Sequence, residues 1–273
     1  MLATRPDLGR HAVDHRPGAD GAGAPDPDHR PGPGAELDAG LARALDHPPA
    51  IALRGDFEVH LTVGAEHADA LAGWAAGHGL KFTHILLDRG TAAVSQPMLT
   101  LRGSGAYAEV AAVTAGTARR MAGAGFPVLR VKIESVPWAE GVPQTAAEAA
   151  ALGPERYFEH HVKLLLGPAE RTEGLARLAV RHGAHLSRNA RRTRADGDRE
   201  HFVTQRCRLV GLPEAGRRLD ALLADLRADG RRIASVEREF VALDSDEALD
   251  AGWIDDRSTH RQHAHHHPEG TSR

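Results

Sequence analysis

An ordered self-similarity between the two halves of the chain constrains its fold more than any other feature. Phe57-Glu58-Val59-His60-Leu61-Thr62-Val63 aligns with Phe158-Glu159-His160-His161-Val162-Lys163-Leu164. Downstream, Leu71, Ala75, His78 and Gly79 align with Leu175, Ala179, His182 and Gly183. Leu101 and Gly103 then align with Leu209 and Gly211, and Val131 and Glu134 with Val236 and Glu239. The order never changes, and accidental matches do not keep their order over so long a stretch. The period far exceeds the roughly 20–50 residues of solenoid repeats, so it predicts two copies of one folded unit rather than a helical array.

Each half reads as strand, helix, strand, strand, helix, strand. The first strands, Phe57–Val63 and Phe158–Leu166, show period-2 alternation, and Leu219, Leu222, Leu223 and Leu226 follow helical spacing. The pattern is that of a ferredoxin-like βαββαβ unit. The expected fold class is therefore α+β: two tandem ferredoxin-like units from an internal duplication, with open sheet faces sharing a cleft. Residues 1–50, rich in Pro and Gly, read as a disordered arm with a short helix near Leu37–Leu45. Residues 51–136 form the first unit, 137–156 a linker and 157–243 the second unit. Residues 244–273 form a C-terminal segment ending in a disordered His-rich tail.

Composition excludes several classes. The formal net charge of −3 over 273 residues gives no basis for bulk attraction to nucleic acid. A single cysteine, Cys207, excludes an intrachain disulfide and a Cys-rich zinc site. No apolar run reaches the ~20 residues of a membrane span, and Met1–Arg10 lacks the apolar segment of a secretory signal. The chain thus reads as a soluble cytoplasmic protein. Its basic residues are lopsided: only Lys81, Lys132 and Lys163 are lysines, and all three fall in expected strands. Lysine offers a compact ammonium where arginine offers a planar fork.

Alternation sorts the first strands into two faces. Phe57, Val59, Leu61 and Val63 share the face expected beneath the helices. Glu58, His60 and Thr62 share the other, matched by Glu159, His161 and Lys163 in the second half. The last strands add Lys132 and Glu134, then Glu237 and Glu239. The strands before them add Thr100 and Arg102, then Thr204, Arg206 and Arg208. Facing sheets would place two imidazoles, several carboxylates and several cations in one cleft. His60, Glu134, His161 and Glu239 would then supply a divalent metal site, and imidazole with carboxylate suits Zn, Fe or Mn. His60, His161, Lys132 and Lys163 are the candidate catalytic groups. Arg102, Arg206 and Arg208 are candidate substrate-binding groups, and Glu58 and Glu159 would orient the histidines. The function expected is binding of a small phosphate- or carboxylate-bearing ligand, with metal-assisted or acid–base hydrolysis. The alternative is a non-catalytic protein-interaction module that presents a solvated polar sheet face.

Two family resemblances bear on these residues. A metal centre built from His60, Glu134, His161 and Glu239 across two repeated modules resembles the logic of the vicinal oxygen chelate enzymes. Those modules are βαβββ, whereas each half here has a helix before its last strand. His60-Leu61-Thr62 and His185-Leu186-Ser187 resemble the H-x-T/S pair of the two-histidine phosphoesterases, which implies paired acid–base histidines. Here the alignment partner of His60 is His161 rather than His185.

Overall fold

The computed structural model describes residues 37–46, 51–88, 92–193 and 197–252, with the side chains of 192 and 193 excepted. The Pro/Gly-rich segment before residue 37, residues 194–196 and the His-rich tail lie outside the described residues. The strands are β1 (Arg54–Val63), β2 (Lys81–Leu87), β3 (Ser95–Ala106) and β4 (Val128–Ser135), followed by β5 (Tyr157–Leu166), β6 (Ala184–Thr193), β7 (Arg199–Arg208) and β8 (Ile233–Asp244). The helices are α1 (Ala39–Asp46), α2 (Ala68–Gly77), α3 (Tyr107–Gly123), α4 (Ala146–Leu152), α5 (Glu173–Arg181) and α6 (Leu212–Ala228). None of them is long and apolar enough to cross a membrane.

The assembly overturns the expected pair of tandem ferredoxin-like units. All eight strands form one antiparallel sheet that closes on itself in the order β1-β3-β2-β6-β7-β5-β8-β4. Strands dominate, and most helices are short. The two halves meet edge to edge, not face to face. At one seam Ile85, Leu86 and Leu87 pair with Asn189, Arg188 and Ser187. At the other, Lys132 and Ile133 pair with Asp244 and Leu243, and Glu134 and Ser135 with Val241 and Phe240 after a register shift. The reason is the unpaired N–H and C=O groups that an open sheet leaves on its edges. Closure pairs these groups, and the polar faces expected to stack become the inner wall of a barrel. Alternation places side chains on faces, but it carries no information about which edges join.

The helices cover the outside. Phe57, Val59, Leu61 and Val63 are buried in a core with Leu71, Ala115, Met121 and Ile133. A second core joins Val162, Leu164 and Leu166 to Leu175, Leu178, Leu219, Leu222 and Leu226. Leu41 and Leu45 of α1 are buried in the first core. The expected linker contains α4, which Thr145 and Glu148 cap reciprocally: Glu148 N–H donates to the Thr145 hydroxyl, and Thr145 N–H to the Glu148 carboxylate. At the junction of β3 and α3, Gly105 has φ +132°. A Cβ there would lie 2.6 Å from the Glu109 carboxylate, which accepts the Ala106 N–H and so opens α3.

These outer cores hold the lumen in shape. Leu222 is fully buried in the second core. Leu222→Ala is expected to lower unfolding free energy by about 2–5 kcal/mol, read from the denaturant midpoint.

Candidate functional site

An eight-stranded barrel has an interior just wide enough to be filled by side chains or to hold one small ligand. Here it encloses a cavity of about 380 Å³. Outside β2, where Lys81, Phe82, Thr83, His84 and Ile85 all line the cavity, inward-facing residues follow the period-2 alternation of the strands. Glu58, His60 and Thr62 come from β1, Glu159, His161 and Lys163 from β5, Arg130 and Lys132 from β4, and Glu237 and Glu239 from β8. All three lysines of the chain line this cavity.

The deep part is an alternating series of charges. Arg130 pairs with Asp244 through Nε and Nη2, and its Nη1 lies 3.0 Å from Asp250. Arg206 donates to Asp250 at 2.6 Å and to Glu159 at 2.7 Å. Lys132 pairs with Glu159 and lies 2.5 Å from Glu134. The series thus runs Asp244, Arg130, Asp250, Arg206, Glu159, Lys132, Glu134, with a carboxylate at each end. Burial disfavours the Lys132 ammonium, but Glu134 and Glu159 outweigh it and hold its pKa well above the usual lysine value. Glu159 is buried as well, and Lys132 and Arg206 hold its pKa well below the usual carboxylate range. Burial also opposes ionisation of Asp250, but Arg130 and Arg206 outweigh it and lower its pKa.

Glu134 ends the series with a side chain only 1 % exposed. Its contacts to Lys132 and to His60 Nε2, the latter at 3.2 Å, have ion-pair distances, yet neither carboxylate oxygen completes a hydrogen bond. His161 Nε2 lies 3.2 Å from Glu239 and 3.3 Å from Glu159. Ligand atoms of Glu134, His161 and Glu239 all lie within 4.8 Å of one another, and the three form a group that could hold a metal ion. Burial opposes protonation of His161, but Glu159 and Glu239 outweigh it and raise its pKa to about 10. Burial and the neighbouring Glu134 raise the pKa of Glu239. The two imidazoles are held alike. His60 Nδ1 bonds Thr100 Oγ1 at 3.1 Å and His161 Nδ1 bonds Thr204 Oγ1 at 3.0 Å, so both Nε2 atoms turn toward carboxylates.

The sequence-selected residues divide clearly. His60, Glu134, His161, Glu239, Glu159, Lys132 and Lys163 come together in or directly behind the lumen wall. Glu58 sits toward the rim, where Lys81 and Arg102 donate to it at 3.1 and 2.8 Å. Arg102 is 76 % exposed and does not line the cavity. Arg208 also lies off the cavity lining: it stacks over Tyr157, bonds Glu247 and donates to the Pro154 carbonyl. Arg206 does face the lumen, but its guanidinium is engaged by Glu159 and Asp250. Lys163 is held more loosely, 3.8 Å from Glu200 and over the ring of Phe202. Cys207 is buried, and burial pushes its thiol up to about 11.

Arg130, Asp244 and Asp250 of the charge series are not among the sequence-selected residues. Arg130 was detectable, because it stands two residues before Lys132 on the same strand face. Asp250 lies in a short turn after β8, where no periodicity operates. No protein-family model matches this chain, and no curated protein resembles it closely enough to count as a relative.

Removing one partner from a buried ion pair strands the other charge. Asp250→Ala is therefore expected to cost about 3–5 kcal/mol of unfolding free energy in a denaturant titration. Acid carries the same signature. The Asp250 carboxyl has a lower pKa in the folded state than its ordinary 3.8. Its stabilisation is complete above that value and disappears as pH falls through the depressed folded-state value. Thermal melts below about pH 4 are expected to fall more steeply for the parent protein than for Asp250→Asn.

Proposed function

We propose that the lumen binds a small phosphate- or carboxylate-bearing anion together with a divalent cation, and that the site hydrolyses this ligand. The observation that carries the reading is the end of the buried charge series. Glu134 closes it with four carboxylates set against three cations, and His161 and Glu239 stand beside it with their ligand atoms converging. A divalent ion would offset that surplus, and two carboxylates with one imidazole suit Zn, Fe or Mn. When bound, such an ion polarises an anionic oxygen and lowers the pKa of a coordinated water.

The chain's own residues supply the rest. Lys163 and Lys81, toward the rim, are the cations with slack, at 3.8 and 3.1 Å from single carboxylates. They would neutralise the incoming anion, a role suited to mobile ammonium groups. Lys132 and Arg206 are each clamped by two carboxylates and act as positioning residues for Glu134 and Glu159. His60 adjoins Glu134 from the other side and would take the proton of the attacking water. The cavity volume suits one small molecule and not a macromolecule.

The test is elemental analysis by plasma mass spectrometry of the full chain after dialysis against zinc, iron or manganese. The parent protein is expected to hold one more ion per chain than the His161→Ala/Glu239→Gln variant. Both proteins keep the histidine-rich tail, so the difference reports the lumen alone. Equal metal content in the two proteins would remove the cation from the reading. The non-catalytic interaction module predicts that equality together with no binding of inorganic phosphate.

A further inference from the structure

The lumen wall is divided. The β1, β4, β5 and β8 side carries most of the charges described above. On the facing side, between Lys81, Arg191 and Glu200, lies an uncharged patch built across the β2–β6 seam. Ile85 pairs with Asn189, Leu87 with Ser187, and Ser187 in turn with Phe202. Met98 extends the patch from β3, and all six residues line the cavity. Aromatic residues make up only 4 % of the chain, and Phe202 is an aromatic ring turned into this interior. Lys163 joins the two sides: it pairs with Phe202 in the β5–β7 register, and its ammonium lies 5.4 Å from the centre of that ring.

This division limits what fills the cavity. A bare inorganic anion would engage the charged side and leave an apolar patch facing trapped water, which is unfavourable. A cavity of about 380 Å³ falls in the range that holds a whole small molecule. From these observations we infer that the ligand has two parts: a phosphate group at Lys163, and an uncharged planar ring attached to it that lies on Phe202. Ile85, Leu87 and Met98 supply apolar contact around the ring. Ser187 and Asn189 supply hydrogen bonds for polar atoms on its edge. The inference rests on the anion-binding reading above and adds the chemical class of the organic part, a phosphate monoester of an aromatic or heteroaromatic alcohol.

Calorimetric titration of the full chain with inorganic phosphate, glycerol 3-phosphate and phenyl phosphate tests it. Phenyl phosphate is expected to bind about tenfold more tightly than the other two, the size of a single ring-stacking contact. Phe202→Leu and Ile85→Asn are each expected to remove that preference, Ile85→Asn while leaving inorganic phosphate affinity unchanged, with thermal melts confirming that both variants fold. Equal binding of the three probes overturns the two-part ligand and leaves the anion site standing. A ring preference that survives both substitutions overturns the assignment of the ring to this patch. Failure of all three probes to bind ends the anion reading and this inference together.

Discussion

The pairing of β4 with β8 and of β2 with β6 determines what the rest of the molecule is able to do. Each half of the chain, taken alone, would be a sheet with two open edges and one polar face exposed to solvent. Joining the edges satisfies the backbone groups and turns both polar faces inward. The same step creates two environments with opposite demands. Outside, aliphatic strand faces meet the helices and form two dry cores. Inside, charged side chains converge in a space too narrow for more than one small guest.

Ionised groups leave water for such an interior only when each meets its counterpart. The deep series satisfies this. Arg130, Arg206 and Lys132 are each held between two carboxylates, and no two like charges adjoin along it. Toward the rim the rule relaxes: Lys81 and Arg102 both lean on Glu58, and Lys163 rests between Glu200 and an aromatic face. The ion-pair network is therefore saturated in the deep part and looser toward the rim. A site needs both: fixed groups to hold geometry and movable ones to accept charge.

Much of this was legible in the strands and little of it in their assembly. Period-2 alternation placed His60, His161, Lys163 and Glu239 on the face that becomes the lumen, because inward and outward residues obey different solvation rules. It also picked Arg102, inside β3, and Arg208, the last residue of β7, which share the right parity but lie off the cavity lining. Their side chains escape the barrel, one to solvent and the other onto Tyr157 and Glu247. Parity reports a side and not a depth. Edge pairing leaves still less trace, since any antiparallel neighbour satisfies a strand's hydrogen bonds. Face-to-face stacking and edge-to-edge closure therefore predict the same residue pattern and differ only in topology.

The position of β8 along the chain has a consequence for how the molecule is made. It follows every other strand, yet it is the staple between β4 and β5, and the turn just beyond it delivers Asp250 to Arg130 and Arg206. Until that stretch has left the ribosome, the seam between β4 and β5 stays open, Arg130 lacks both of its counterions and Arg206 lacks one. The barrel therefore closes only once β8 has been made, through contacts between residues more than a hundred positions apart, such as Arg130 with Asp244. Non-local closure of this kind is slow. Until then a nascent chain carries a polar, half-wrapped sheet, and its transient edges are the surfaces a chaperone would meet.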